Sequence, residues 1–264
     1  AFLKKEPVAK LHFKRWIGSE EFINGSERWC LWLGDCTPDQ LQKMPESMKR
    51  IEAVKQTRLA SKSAPTRKIA ATPTRFHVEN MPSKSYLVVP KVSSERRNYI
   101  PIGFELPSTL ASDLVFIIPN ATLYHLGILS SVMHMSWVRS VCGRLESRYR
   151  YSAGIVYNNF PWPDATGKQR QKIEKAAQGV LDARAKYPKS TLADLYNSTT
   201  MPPDLVKAHD ALDKAVDEAY GKTGFKNEAQ RVAFLFELYQ KITSPLAPET
   251  KKEKPRKLKA KKTS

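Results

Sequence analysis

RLESRYRYSAGIVYNNFPWP, residues 144–163, is the stretch on which the reading of this chain turns. It sets Arg144, Arg148 and Arg150 among five aromatic side chains, with Arg139 just upstream, and closes on Phe160-Pro161-Trp162-Pro163. Tyr149–Tyr157 reads as strand, and the two prolines then stop regular structure, so the stretch marks the end of a β-rich region. Guanidinium groups are planar donor forks that fit phosphate and guanine edges, and the amides of Asn158 and Asn159 can pair bidentately with adenine. The same residues also suit a core segment whose arginines are merely solvated.

Upstream, Leu114–Pro119 (LVFIIP) is a β-branched run of buried-strand length. Asn120 can cap a helix running to about Cys142, with Leu123, Leu126, Leu129, Met133, Trp137 and Val141 as its apolar stripe and Gly143 as its stop. Tyr86–Pro90 and Tyr99–Phe104 read as strands flanking the polar loop Ser93–Asn98. Residues 15–33 read as short strands around the tight-turn dipeptide Asn24-Gly25. There Trp29, Leu31 and Leu33 alternate with Cys30 and Trp32, as in a strand covered on both faces. From Met44, the residues Met48, Ile51, Val54 and Leu59 recur at helical spacing. Lys49, Arg50, Lys55, Arg58 and Lys62 occupy the other faces, and the helix is expected to continue into the Ser/Pro/Thr-rich connector 61–76, whose basic character runs through Arg67, Lys68 and Arg75. Downstream of Pro163, helices are expected over Gln169–Tyr187 and Leu205–Tyr220. A third starts at the capping pair Asn227/Gln230.

These patterns predict an α/β (α+β) domain over residues 1–163, with a mixed or antiparallel sheet and a long central helix. An all-α segment follows over 164–247. A basic tail, 248–264, is too charged and too poor in apolar residues to fold, so disorder is expected there.

The formal net charge is +18. Residues 1–163 hold 23 Lys+Arg against 13 Asp+Glu, residues 164–247 hold 13 against 11, and the tail holds 8 against 2. An excess concentrated in one domain favours a polyanion through counterion release. No apolar run approaches the ~20 residues that span a bilayer, so no membrane partner is expected. No secretory leader is visible either, and the odd count of three cysteines without a CxxC reads as reduced thiols. These features point to a cytoplasmic, nucleoid-associated protein. The absence of an initiator Met is what an excised piece of a longer chain would show.

Several reaction centres were looked for and not found. Asn159-Phe160-Pro161-Trp162 is the nearest relative of the loop that holds a flipped adenine, but it lacks the second proline in register and a glycine-rich turn upstream. Gly221-Lys222-Thr223 lacks the first glycine of a phosphate loop, since Val216 stands there. The histidines and cysteines have no metal-ligand spacing, and no nucleophile elbow occurs. The expectation is a binder with no catalytic residues, no metal and no cofactor of its own.

RWIGSEEFINGSERWCLWL, VSSERRNYIPIGF, IIPNATLYHLGILSSVMHMSWVRSVCGRLESRYRYS, YNNFPWP, LADLYNSTTMPPDLVKAHDALDKAVDEAYG and QRVAFLFELYQKI resemble the C-terminal part of MmeI-like DNA methyltransferases of type IIL restriction–modification systems. The resemblance spans roughly residues 15–246. It implies a target recognition domain and a helical segment that hold double-stranded DNA for adenine-N6 methylation. Catalysis would fall to a methyltransferase domain of the same polypeptide that uses S-adenosylmethionine. An endonuclease domain, if present, would use Mg2+.

By chemistry, the base-reading candidates are Ser94, Glu95, Arg96, Arg97 and Asn98 in the inter-strand loop. His134, Ser136, Arg139, Arg144, Arg148 and Arg150 join them around the end of the central helix. Candidates for phosphate contact are Lys49, Arg50, Lys55, Arg58, Lys62, Arg67 and Lys68. For each arginine the alternative is an ion pair within the protein. For the chain as a whole, the alternatives are a nucleic-acid binder without sequence preference and a helical protein-interaction module.

Overall fold

The computed structural model describes residues 1–244, so the expectation for the tail 248–264 lies outside the described residues. In chain order, helix α1 (Phe2–Lys5) and a 3-10 stretch lead into β1 (Phe13–Ile17), α2 (Ser19–Asn24) and β2 (Trp29–Leu31). Helices α3 (Pro38–Gln42), α4 (Pro45–Leu59) and α5 (Ala64–Lys68) follow. Then come β3 (Tyr86–Pro90), β4 (Val92–Ser93), β5 (Gly103–Glu105), β6 (Thr109–Ala111) and β7 (Val115–Pro119). Helices α6 (Leu123–Leu129) and α7 (Val132–Val141) precede the hairpin β8 (Gly143–Leu145) and β9 (Arg148–Arg150). The chain continues as α8 (Gly167–Ala185), α9 (Leu192–Leu195), α10 (Pro203–Ala219) and α11 (Glu228–Thr243). The fold is mixed α/β with a helical C-terminal region. Among the described residues, no helix is long and apolar enough to cross a membrane.

Three small sheets carry the β structure, in the orders β2-β1-β6, β5-β3-β7 and β4-β9-β8. All pairings are antiparallel except β1 with β6. Every residue of β3 is buried, because both its faces are covered. Leu87 and Val89 face the main core, and Tyr86 and Val88 join Ile17, Phe22, Ile23 and Val115 on the other side. That explains a continuous apolar run in place of alternation. A third cluster, Ala9, Leu33, Met44 and Ile51, packs the N-terminal lobe. There the buried carboxylate of Glu6 accepts from the backbone N–H groups of Glu46 (2.6 Å) and Ser47 (3.1 Å), placing negative charge at the N-terminus of α4.

The main core crosses the Phe-Pro-Trp-Pro stretch without a break. It runs from Leu87 and Ile100 through Leu126, Trp137 and Tyr149 to Ile173, Leu212 and Leu235. Gly127 is where α6 meets the C-terminal helices most closely: a Cβ there would lie 2.6 Å from Ile173 Cγ2 and 3.2 Å from Leu212 Cδ1. Polar bonds reinforce the junction. Asp213 on α10 accepts from Val132 N at the start of α7 and from the Tyr99 hydroxyl, both at 2.7 Å, and burial pushes its carboxyl up to about 7. Arg184 on α8 donates to the Ile102 carbonyl (2.7 Å) and to Tyr196 Oη, and Tyr196 Oη lies 2.8 Å from His209 Nε2.

Several local expectations are corrected. Asn24-Gly25 does not turn a hairpin; Gly25, at φ 69°, caps the C-terminus of α2, because a left-handed glycine serves either purpose. Trp29 is 54% exposed, so β2 is not covered on both faces. The helix from Met44 ends at Leu59, and the connector folds as α5 and a short 3-10 turn. Tyr99–Ile102 is irregular, with Pro101 removing a donor, and only Gly103–Glu105 pairs as strand. The single long helix is two helices. Ser131 Oγ donates to the Ile128 carbonyl (2.7 Å) and accepts from His134 N (3.2 Å), closing one helix and capping the next. Thr122, not Asn120, caps α6. Gly143 opens β8 instead of stopping a helix. The strand expected to reach Tyr157 stops at Arg150, and Ser152 caps a π-type turn over Ala153–Tyr157.

Substituting valine at Gly127 should therefore separate α6 from α8 and α10, lowering stability by about 1–3 kcal/mol. Thermal unfolding followed by circular dichroism measures this; an unchanged midpoint would mean the junction absorbs the added methyl groups.

Candidate nucleic-acid interface

The sheet β4-β9-β8 joins the two groups of sequence candidates. Val92 pairs with Arg150 and Ser93 with Tyr149, so the chain leaves β4 into the Ser94–Asn98 loop directly beside the β8–β9 hairpin. Across the hairpin, Leu145 faces Arg148 and Arg144 faces Tyr149. Strand alternation therefore places Arg148 and Arg150 on one face with Leu145 and Val92, and Arg144 and Tyr149 on the other. Tyr149 is buried in the main core and anchors the hairpin. The Arg144 guanidinium stacks on its ring at 4.1 Å and donates to the Ser147 carbonyl at 3.1 Å. The turn residue Glu146 adopts a left-handed conformation (φ 57°), and its carboxylate accepts from Arg148 at 2.7 Å in an exposed pair.

Loop and turn also meet through side chains. Its own backbone N–H, the Ser147 hydroxyl and the Arg96 and Arg144 charges hold the Glu95 carboxyl below its ordinary range. Arg96 extends into solvent, 86% exposed. Arg97 is half-buried and lines a cleft with Ser93, Ser94, Leu145 and Arg148, closed on the far side by Glu20 of α2. Asn98 is exposed. The result is a patch in which Arg144, Arg148 and Arg150 are presented on a short paired hairpin, with Glu95 and Arg96 on the adjoining loop.

Other candidates are not presented. His134 and Ser136 are buried. His134 Nδ1 donates to the Leu129 carbonyl (2.8 Å), its Nε2 lies 3.1 Å from the Tyr151 hydroxyl, and burial lowers its pKa to about 4. Ser136 Oγ donates to the Val132 carbonyl (2.8 Å). Both lie in Met133–Val138, the stretch of α7 that is buried on every side. Arg139 pairs with Glu228 at 2.6 Å and donates to the Asn98 carbonyl at 3.3 Å, tying the loop to α11. The Asn159 amide donates to the carbonyls of Gly154 and Ile155.

The basic helix divides in the same way. Arg58 donates to the carbonyls of Ile69 and Thr72 (2.9 Å each) and Arg75 (2.6 Å), stapling α4 to the segment after α5. Arg67 holds the carbonyls of Ser61 and Lys62 at 2.9 Å. Lys49 pairs with Glu46 (2.6 Å), and Arg50 stacks on Phe2 at 4.5 Å. Lys55, Lys62 and Lys68 are exposed. Among the described residues, no group of three or more His, Cys, Asp or Glu is placed to hold a metal ion.

Residues 1–164 match the family model described as MmeI, target recognition domain, and residues 165–247 match that described as MmeI, C-terminal domain. The chain belongs to the MmeI family. "DNA methyltransferase A" of Bacillus subtilis (strain 168) is 42% identical over 241 residues, which cover 91% of this chain and 27% of that protein. The solved structure of the type IIL restriction–modification enzyme MmeI in complex with DNA superposes with a TM-score of 0.89 at 48% identity, covering 92% of this chain and 32% of the other. The chain thus spans about a third or less of the length of these relatives. Its resemblance to them was legible in the sequence. What the sequence reading did not reach is the contribution of Glu20 and of Asn197–Thr199 to the clefts around the loop. The polar run Asn197-Ser198-Thr199-Thr200 is the signal that pointed there.

Two outcomes follow from this geometry. Arg58→Ala and Arg58→Lys should both lower the unfolding midpoint, since neither reaches three carbonyls, with a loss of about 1.5–3 kcal/mol for the alanine; a role in phosphate contact alone would leave the midpoint unchanged. His134 should stay neutral from pH 8 to 5 in 15N-resolved imidazole spectra. A titration of that ring near its ordinary value would place it at the surface instead.

Proposed function

We propose that this chain is the sequence-reading module of a DNA adenine-N6 methyltransferase of the restriction–modification kind, holding duplex DNA while a catalytic domain modifies a base. The observation that carries the proposal is the β4–β9 pairing. It sets Arg148 and Arg150 beside Ser94–Arg97 in a chain of the target recognition family. A short hairpin of this kind fits the major groove, where arginine pairs with guanine O6 and N7 and a carboxylate accepts from cytosine N4. Arg144, stacked on Tyr149, braces the hairpin and extends its positive field. The exposed lysines Lys55, Lys62 and Lys68 supply sequence-independent attraction to phosphates. Base flipping, S-adenosylmethionine and any Mg2+-dependent cleavage belong in this reading to domains outside the chain, which form the partners of the module together with DNA. In keeping with that division, no residue of this chain is assigned to the methyl donor.

The experiment is selection from a random duplex pool by the 264-residue chain, at moderate salt, followed by sequencing. A short enriched motif is expected. Arg148→Ala should then weaken binding to that motif by about 1–3 kcal/mol and relax one position of it. Recovery of no motif from a pool that is nonetheless bound would contradict sequence reading by this module.

A further inference from the structure

A second cleft lies on the other side of the Ser94–Asn98 loop. Its lining includes Ser94, Arg96 and Arg97 from the loop and Asn197, Ser198 and Thr199 from the turn after α9. Two guanidinium groups, hydroxyls and an amide face this space, and among the described residues no carboxylate lines it. The turn is fixed by its own bonds: Thr199 N donates to Asn197 Oδ1 at 3.0 Å, and Met201 N donates to the Asn197 carbonyl at 2.9 Å.

Arg97 is the group that asks for a ligand. It is half-buried and borders both clefts. Among the described residues its Nε is buried with no hydrogen-bond partner, and its one side-chain bond, Nη1 to Ser93 Oγ, is long at 3.4 Å. The nearest carboxylate in sequence, Glu95, lies 3.9 Å from Arg96 Nε and makes no ion pair with Arg97 among the described residues. Other partly buried arginines here have close partners: Arg139 has Glu228, Arg231 has Asp217 and Arg15 has Glu105, while Arg58 and Arg184 hold backbone carbonyls. Arginine keeps its charge even when withdrawn from water, and an unpaired cation in that position is unfavourable. An anion from outside relieves it.

We infer that Arg97, Arg96 and the Asn197–Thr199 turn form a binding site for a backbone phosphodiester of the DNA duplex. The inference rests on the reading above, because the same Arg97 borders the cleft that holds Arg148. It changes two assignments. Arg97 becomes a phosphate ligand in place of a base reader, and the C-terminal helical region, through its α9 turn, joins in gripping DNA. A cleft lined with hydroxyls and guanidinium groups suits a phosphate; an inserted base would need a stacking face, and none lines it.

The test is binding of the 264-residue chain to fluorescein-labelled 20-bp duplexes of several sequences, by anisotropy across a salt series. Arg97→Gln should weaken binding to every duplex by a similar factor, and it should reduce the slope of log K against log salt by about 0.9, the loss of one phosphate contact. Thr199→Glu places a negative charge at an exposed rim position, where folding is not at stake, and should weaken all duplexes alike with an unchanged unfolding midpoint. The assignment is overturned if Arg97→Gln leaves the slope unchanged, if it affects only one sequence, or if Thr199→Glu binds like the unsubstituted chain. If the unsubstituted chain binds no duplex at all, the DNA-reading proposal itself fails and takes this site with it. Binding that survives in both variants removes this site alone.

Discussion

Two backbone pairs, Val92 with Arg150 and Ser93 with Tyr149, hold the candidate surface together. Without them the Ser94–Asn98 loop and the β8–β9 hairpin would be separate mobile excursions. With them, the loop that carries Arg96 and Arg97 leaves its strand directly beside the hairpin that carries Arg144, Arg148 and Arg150. The pairing depends in turn on Tyr149, whose buried ring fastens the hairpin to the main core. Groups that read base edges must be held to within fractions of an ångström, so their support belongs on rigid elements. A hairpin turning in two residues between paired strands, with one tyrosine in the core, meets that need with little chain.

The same core explains why the recognition and helical regions occur together. Ile173, Leu212 and Leu235 pack in one cluster with Leu87, Trp137 and Tyr149. Asp213 fixes the start of α7, Arg184 holds the Ile102 carbonyl, and Arg139 is held by Glu228. The C-terminal helices thus act as the wall against which α6 and α7 are set, and α7 leads directly into the hairpin. Removing them would expose a large apolar face. Arg58, Arg67, Arg139 and Arg184 accordingly bind carbonyls, acids or a phenol inside the protein, while Arg96, Arg148 and Arg150 stand at the surface and Arg97 lies between the two.

Much of this was legible in the sequence where one signal dominates. YLVVP reads as a strand because it is a short run of aliphatic, β-branched and aromatic residues, and α8, α10 and α11 follow their apolar stripes. The Asn227–Gln230 spacing marks a helix start, whereas the cap of α6 fell on Thr122 and not on Asn120. Legibility failed where one signal serves two structures. Gly25 in a left-handed conformation ends a helix as readily as it turns a hairpin. Ser130-Ser131 sits inside an unbroken helical stripe, so the division into α6 and α7 leaves no trace in periodicity. His134 and Ser136 look available because they are polar, yet Tyr151 and Phe160 close over the side of α7 that carries His134. The pairing of β4 with β9 joins residues more than fifty positions apart, and no local pattern announces it.

Site-specific photocrosslinking from the hairpin tip tests the account most directly. A benzophenone side chain in place of Ser147, irradiated with the 264-residue chain bound to duplex DNA, should form a covalent adduct with the DNA. The same group in place of the exposed Lys175 on α8 should form none. Adducts from position 175 without adducts from position 147 would contradict the assignment of the β8–β9 hairpin and its neighbouring loop as the DNA-facing surface.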